Sequence, residues 1–265
     1  MGLAGLWLLA ATGRAQAQAA VTDHTYAAWD ALLKKHVVWL PDGKQSRVDY
    51  KAFQADRGAL KGVLADWSAV SPAAFGEFTR EQQMAFLINA YNGFTVELVL
   101  TRYPDLKSIK DLGSLIQSPW KKKFFRLLGD ERNLDWIEHE RLRPNYADWR
   151  VHAAVNCASI GCPALRPEAF VAQRLDAQLD DGMARFMSDP TRNRFSNGRA
   201  EISAIFKWFK EDFEQGHRGV RKFDDLLSLY ADQLARSAGD REKLKAGPVS
   251  LSYLDYDWAL NGLAR

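Results

Sequence analysis

The stretch TREQQMAFLINAYNGFTVELVL, residues 79–100, contains the longest helical pattern of the chain. Thr79 is a suitable N-cap, because its hydroxyl can accept a hydrogen bond from a backbone N–H of the first turn. From Met84 to Leu100 apolar side chains occur nearly all round the helix, a distribution typical of a buried helix. We therefore predict a central helix against which the other elements pack.

On either side of this segment, helical and extended patterns alternate irregularly. Apolar side chains at helical spacing predict further helices over 26–37, 53–67, 134–142, 167–188, 205–214 and 221–236. Short extended patterns predict strands over 47–50, 124–128, 150–157, 195–202 (a hairpin around Asn197-Gly198) and 251–256. This order favours an α+β fold, a single mixed domain with a small, mostly antiparallel sheet packed by several helices.

The beginning of the chain has the layout of a secretory signal peptide. An apolar core from Leu3 to Thr12 precedes small residues in A-x-A order around Ala17, and the core is too short to span a bilayer. We expect residues 1–19 to be removed and residues 20–265 to form one globular domain with a family-like core at about 86–261. The mature protein is then exported, either periplasmic or secreted.

Composition narrows the classes of partner. The formal net charge is only +3, and 47% of the residues are hydrophobic without a low-complexity tract. So small a charge does not favour nucleic acid or an anionic membrane as a partner. No segment after residue 19 offers the roughly 20 apolar residues of a membrane span. We expect a soluble protein whose ligand is a small molecule or a peptide.

The segment HAAVNCASIGCP, residues 152–163, holds both cysteines of the chain. In an exported protein, two cysteines at C-x4-C spacing are typical of a disulfide, so a Cys157–Cys162 bond is one interpretation. A second interpretation makes Cys157 a nucleophile, which requires a base within hydrogen-bond reach. On a strand over 150–157, His152 would point to the opposite face from Cys157 and lie roughly 16 Å away.

His139 is therefore the better candidate base, with Glu138 or an asparagine to orient its ring, and His152 serves only if the strand ends before Cys157. A third interpretation is a zinc site formed by these two histidines and two cysteines. Their spacings match no standard zinc pattern, so we expect neither a metal nor another cofactor.

Polar residues inside the apolar helix pattern need partners. Asn89 and Asn92 are three residues apart and share one helix face. They either form a buried structural network, or they hold a catalytic ring in place or donate to a substrate carbonyl. Asn156 beside Cys157 is placed in the same substrate-binding group. Near the end of the chain, Asp257 either orients a histidine or lies on a solvated strand edge.

Several of these motifs together resemble the family called domain of unknown function 547. The resemblance covers about Phe86 to Asn261 and rests on motifs in a fixed order. These are Ile88-Asn89-x-Tyr91-Asn92, Ile137-Glu138-His139, His152-x3-Asn156-Cys157, Cys162-Pro163, Ile205-Phe206-Lys207-Trp208, Asp212-Phe213 and Tyr256-Asp257-Trp258-x2-Asn261. It implies that Asn89, Asn92, Glu138, His139, His152, Cys157 and Cys162 belong to one shared pattern, and it implies no particular activity.

The leading functional hypothesis is a thiol-dependent hydrolase or acyl transferase acting on amide or peptide bonds. Cys157 would attack, His139 or His152 would move the proton, and Glu138 would orient the imidazole. The alternative is a non-enzymatic periplasmic binding module, in which a Cys157–Cys162 disulfide shapes a loop beside an aromatic groove. A redox role for the dithiol ranks third, since C-x4-C is not the C-x-x-C redox spacing.

Overall fold

The computed structural model of the protein describes residues 22–114 and 116–263. The expected signal peptide lies outside these residues, so it stays a prediction. The α+β class is confirmed, because many helices pack around small sheets of two or three strands. No helix among the described residues is long and apolar enough to cross a bilayer.

Most of the described residues that have regular secondary structure are helical. The α-helices are α1 Ala27–His36, α2 Tyr50–Ala55, α3 Arg57–Ser68, α4 Pro72–Gly76, α5 Arg80–Leu100, α6 Arg143–Tyr146, α7 Leu175–Ser188, α8 Ala204–Trp208, α9 Lys210–Phe213, α10 Phe223–Leu229, α11 Ala231–Leu234 and α12 Ala238–Ala246. Short 3₁₀ helices occupy Ile109–Leu112, Pro119–Lys121, Trp149–Ala153, Ala172–Arg174 and His217–Gly219. Trp136–Leu142 is a π-helix.

Helix α5 is the buried central helix that the sequence predicts. Thr79 accepts a hydrogen bond from the Gln82 backbone, and the Gln82 side chain accepts one from Thr79 in return. These reciprocal bonds satisfy two N–H groups that a helix start leaves without partners. Helix α3 packs closely on α5 at Gly93, where an added Cβ would lie 2.7 Å from the Trp67 ring. Glycine is therefore required for this close helix contact.

The strands form three small sheets. Strands β1 Val37–Trp39 and β2 Ser46–Val48 pair antiparallel, as do β3 Phe125–Leu127 and β4 Asp130–Arg132. In the third sheet, β6 Arg199–Ser203 lies between antiparallel β5 Arg194–Ser196 and parallel β7 Ser250–Leu254. The predicted turn joins β5 to β6, with φ of 52° at Asn197 and 74° at Gly198. Two consecutive positive φ angles match the tight turns that suit antiparallel hairpins.

One prediction near the cysteines is wrong: residues 150–157 do not form a strand. Trp149–Ala153 is a 3₁₀ helix, and an irregular loop follows it. The Asp148 carboxylate caps this helix by accepting from the backbone N–H of Arg150, and it also binds the buried Arg150 guanidinium. The alternating apolar pattern arises because this helix contacts two cores, one centred on α5 and the other on the C-terminal elements.

One predicted helix needs correction, and one helix is present that the sequence does not predict. The helix expected over 167–188 begins at Leu175, after an irregular segment and a 3₁₀ turn. Helix α12 was not predicted, because most of its residues are polar and it buries only Leu244. A helix with so narrow an apolar face gives little periodic signal.

Candidate functional site

A cavity of about 220 Å³ opens between the two cores. Its wall is rich in aromatic rings, supplied by Tyr91, Trp120, Trp208, Phe209, Tyr256 and Trp258. Its ionisable wall residues are Asp135, Glu138, His139, His152, Cys157 and Cys162. The four candidate catalytic residues of the sequence analysis and Cys162 therefore line one space, although they come from two separate segments of the chain.

The two cysteines lie side by side as thiols. Their sulfur atoms are 2.9 Å apart, and the backbone N–H of Cys157 donates to Cys162 Sγ over 3.0 Å. Cys162 is buried, whereas Cys157 is partly exposed. The disulfide considered above is not formed in this structure.

Two hydroxyl groups complete the surroundings of Cys157. Its sulfur lies 3.0 Å from Ser159 Oγ and 3.1 Å from the hydroxyl of Tyr256, and these two oxygens are 2.8 Å apart. Tyr256 reaches this position because the C-terminal segment runs along the cysteine loop. Gly161 there donates its N–H to the carbonyl of Asp257 over 2.8 Å.

These contacts make the two thiols unequal. Burial raises the pKa of Cys157, but hydrogen bonds from Cys162, Ser159 and Tyr256 outweigh it, so that its pKa lies below the usual value. Burial and the neighbouring sulfur of Cys157 raise the pKa of Cys162 well above the usual value. Cys157 therefore ionises first, and it is also the more exposed of the two cysteines that line the cavity.

His152 is a buried imidazole held in one orientation. Its ring stacks on Phe209 with centroids 4.1 Å apart, and Nε2 lies 2.7 Å from Asp212 Oδ2. Burial lowers the pKa of His152 more than Asp212 raises it, so the ring is neutral at pH 7. In the neutral ring Nε2–H donates to Asp212, which leaves the lone pair of Nδ1 available to accept a proton.

Arg143 connects Asp212 to the second histidine. Its guanidinium donates to both Asp212 oxygens, over 2.5 and 3.1 Å, and to His139 Nδ1 over 2.8 Å. Burial raises the pKa of Asp212, but the hydrogen bonds and positive charges of His152 and Arg143 lower it by more. The resulting pKa is well below the usual value. Asp212 is thus a permanent carboxylate at pH 7, suited to orienting an imidazole.

Glu138 has a different position from the one expected. Its Oε1 is 4.0 Å from His152 Nδ1, beyond hydrogen-bond distance, while the Tyr91 hydroxyl bonds its carboxyl group. Burial raises the pKa of Glu138. Asp212, rather than Glu138, therefore orients His152.

His139 lies nearer the surface than His152. Its side chain is 37% exposed, and Nε2 is 3.7 Å from Asp135. His139 and Glu138 both lie on the π-helix, a wider turn that often occurs at functional sites. His139 was the better candidate base than His152 only if residues 150–157 formed a strand. Since that strand is absent, the objection to His152 no longer holds, and both histidines line the cavity beside Cys157.

The three asparagines contact the backbone instead of the cavity. Asn89 donates to the carbonyl of Phe170 and accepts from its N–H. Asn92 does the same with the Ala154 carbonyl and the Asn156 N–H, and the Asn156 side chain binds the Pro163 carbonyl. All three are buried, which fits the structural network of the two interpretations offered above. Asn92 thus holds the start of the cysteine loop against α5, while Asn89 fixes the segment at Phe170 and Asn156 closes the loop on itself.

Sequence reasoning missed Asp212, Tyr256 and Ser159 as members of the site. Asp212 and Tyr256 were noted only as parts of motifs, and their distance along the chain from Cys157 hides their proximity. Asp257 follows the end of β7, and its carboxylate accepts a hydrogen bond from the backbone N–H of Ala259. Among residues 22–114 and 116–263, no cluster of three or more His, Cys, Asp or Glu side chains is arranged to hold a metal ion.

Comparison with known proteins supports the resemblance noted from the motifs. Residues 75–187 match the family model described as a protein of unknown function, DUF547. The chain resembles DUF547. The matched segment contains α5, the π-helix and both cysteines, whereas Asp212 and Tyr256 follow it. No curated protein and no solved structure matches the chain significantly.

Gly161 provides a test of the Tyr256 contact. A Cβ at this position would lie 3.0 Å from the backbone N and O of Asp257 and from the Tyr256 ring. Because backbone atoms yield little, we expect Gly161→Ala to displace Tyr256 from Cys157 and to raise the pKa of the thiol. Alkylation of Cys157 by iodoacetamide at pH 7 should slow by about three- to tenfold, as a pKa rise of up to one unit implies.

The matched control is Gly239→Ala, at a helical position where an added Cβ meets nothing within 4 Å. It should leave the alkylation rate unchanged, and Tyr256→Phe should reproduce the slower rate. An unaltered pH profile of alkylation in both Gly161→Ala and Tyr256→Phe would show that the Tyr256 hydroxyl does not stabilise the thiolate.

Proposed function

We propose that the protein is a thiol-dependent hydrolase or acyl transferase acting on amide or peptide bonds, with Cys157 as the nucleophile. One observation carries the proposal: the partly exposed Cys157 thiol and the oriented imidazole of His152 line the same cavity. A nucleophile, a base and a carboxylate that orients the base are the parts that acyl transfer requires. Export of the protein is also proposed, on the pattern of residues 1–19 alone.

In the proposed reaction Cys157 Sγ attacks the carbonyl carbon of the substrate. The proton of the thiol passes to His152 Nδ1, and Asp212 stabilises the imidazolium that forms. The carbon–nitrogen bond then breaks, and the imidazolium gives its proton to the leaving amine. Water or a second amine next attacks the thioester, with Nδ1 accepting its proton, and the Cys157 thiolate leaves.

The cavity wall also indicates the kind of group that binds. Its aromatic rings favour a flat or apolar group, and a volume near 220 Å³ is suited to one side chain or acyl group rather than a large ligand. The described wall contains two carboxyl groups, Asp135 and Glu138, and no lysine or arginine. Because like charges repel, a neutral or cationic group is favoured over an anionic one.

The proposal is tested with p-nitrophenyl acetate as the probe. We expect a stoichiometric burst of p-nitrophenolate and an acetyl group on Cys157, detected by intact and peptide mass and removed by neutral hydroxylamine. Cys157→Ser should abolish the adduct. Asp212→Asn should slow acetylation by about 10²- to 10⁴-fold, the usual range for loss of positioned acid–base catalysis.

His217→Gln is the matched control for Asp212→Asn. His217 Nε2 also lies beside a carboxylate, 3.3 Å from Asp148, but His217 does not line the site cavity. Its replacement should leave acetylation unchanged. If wild-type Cys157 is not acetylated, the enzyme proposal fails and the binding module with an aromatic groove becomes the better hypothesis. Acetylation that is equally fast in Asp212→Asn would remove His152 and Asp212 from the mechanism.

A further inference from the structure

The arrangement of the two sulfur atoms suits a reaction that acyl transfer does not use. The Sγ atom of the buried Cys162 lies 2.9 Å from the Sγ atom of the partly exposed Cys157. A disulfide requires about 2.05 Å between sulfur atoms, so the two need to approach by less than about 1 Å. Cys157, the more exposed of the two, can meet a co-reactant in the cavity, and Cys162 lies close enough to react with Cys157 afterwards.

The chain around the pair is held so that the sulfur atoms stay together. Ala158 has a positive φ of 61°, and the N–H of Cys162 donates to the Ser159 carbonyl over 3.2 Å. This turn brings two cysteines at C-x4-C spacing into contact. Beyond the turn, the buried Arg192 guanidinium donates to the carbonyl of Cys162, and Asn156 donates to the carbonyl of Pro163 over 2.7 Å.

We infer that Cys157 and Cys162 form a reversible dithiol–disulfide couple that exchanges with small disulfide substrates in this cavity. Cys157 thiolate attacks one sulfur of the substrate disulfide and releases the first thiolate. Cys162 then loses its proton to that product thiolate and attacks Cys157 Sγ. The second thiolate then leaves and takes a proton from solvent. This proton balances the proton that Cys157 released to solvent when it ionised. Two protein thiols are thus oxidised to one disulfide, and one substrate disulfide is reduced to two thiols.

The inference goes beyond acyl transfer but uses the same nucleophile. Once the disulfide forms, the sulfur of Cys157 is no longer a thiolate that Ser159 and Tyr256 can stabilise. It therefore cannot attack a carbonyl carbon. Acyl transfer should therefore require the reduced form. C-x4-C is not the usual redox spacing, but the turn at Ala158 brings the two sulfur atoms into contact despite it.

The experiment uses oxidised glutathione as the probe and intact mass after acid quenching as the readout. We expect the wild-type protein to lose both free thiols together without retaining glutathione. Mixtures with reduced glutathione should set the oxidised fraction reversibly. In Cys162→Ser the mixed disulfide should persist on Cys157, and in Cys157→Ser the buried Cys162 should react at least about tenfold more slowly.

The outcomes separate this inference from the proposed function. If wild-type Cys157 retains glutathione as Cys162→Ser does, the couple is refuted. If Cys157 reacts with p-nitrophenyl acetate but not with oxidised glutathione, the couple is refuted and acyl transfer stands. If the two thiols oxidise together but Cys157 is never acetylated, the couple stands and acyl transfer is refuted. Thermal unfolding of each variant checks that it has folded.

Discussion

Asn92→Leu is expected to lower the free energy of unfolding by about 3 kcal/mol. Leucine has the same number and branching of side-chain heavy atoms as asparagine but removes both hydrogen bonds to the cysteine loop, 3.0 Å to the Ala154 carbonyl and 2.8 Å from the Asn156 N–H. Each buried backbone group left without a partner costs about 1–3 kcal/mol. The measurement is the urea midpoint and slope, followed by Trp fluorescence.

The matched control is Asn145→Leu. Asn145 also donates to a helix carbonyl, that of Arg141 over 2.8 Å, but it is exposed. Water can take over that bond, so we expect a change within about 0.5 kcal/mol. Because Asn92 holds the loop that carries Cys157, the folded Asn92→Leu protein should also alkylate with a changed pH profile. Equal urea midpoints for the two variants would mean that Asn92 does not fix this loop.

Arg192→Met should destabilise the protein by about 3–5 kcal/mol at pH 7. Arg192 and Asp189 form an ion pair at 2.6 Å, with side chains only 6% and 2% exposed. Removing one member of a buried pair leaves the other charge without compensation, which is the costly case. The same guanidinium holds the carbonyl of Cys162, so the loss also loosens the cysteine loop.

The effect of Arg192→Met depends on pH. Burial raises the pKa of Asp189, but Arg192 and Thr191 lower it below the usual value. In the wild type this pair stabilises the fold above the unfolded-state pKa of about 4, and that stability is lost as pH falls. In the variant the uncompensated carboxyl group has a raised pKa and takes up a proton on acidification. The stability difference between the two proteins should therefore be smaller at about pH 4 than at pH 7.

Adding Asp189→Asn to Arg192→Met removes the buried charge and serves as the control. The double variant should recover a large part of the lost stability at pH 7, and its difference from the wild type should depend less steeply on pH. A single variant that is no less stable than the wild type at pH 7 would show that this ion pair contributes nothing to the fold.

The sequence predicts the elements whose local signals agree with their environment. Helix α5 has both a capping box at Thr79 and an apolar interior, and the β5–β6 hairpin has a turn sequence that accepts positive φ. The segment over 150–157 misleads, because alternation of apolar and polar residues is common to a strand and to a short helix that contacts two cores. Residue pattern alone does not separate the two.

In the candidate site, residues that are close in sequence could be predicted, whereas contacts between distant parts of the chain could not. Cys157, Cys162 and His152 are close in sequence and chemically distinctive, so they could be identified in advance. The partners that decide their chemistry, Asp212 and Tyr256, lie 60 and 99 residues along the chain from the groups that they bond. Aspartate and tyrosine are common residues, so their presence in the sequence does not predict a contact with His152 or Cys157. The fold has to be known before such a contact can be recognised.

The π-helix Trp136–Leu142 makes this region unusually sensitive to chain length. A π turn holds one more residue than an α turn, and each residue of an α-helix rotates its side chain by about 100°. Losing one residue would let the segment relax to an ordinary α-helix and turn Glu138 or His139 away from the cavity, with little change in composition. Among relatives of this chain, a deletion at this turn would therefore mark proteins that keep the fold but have lost this wall of the site.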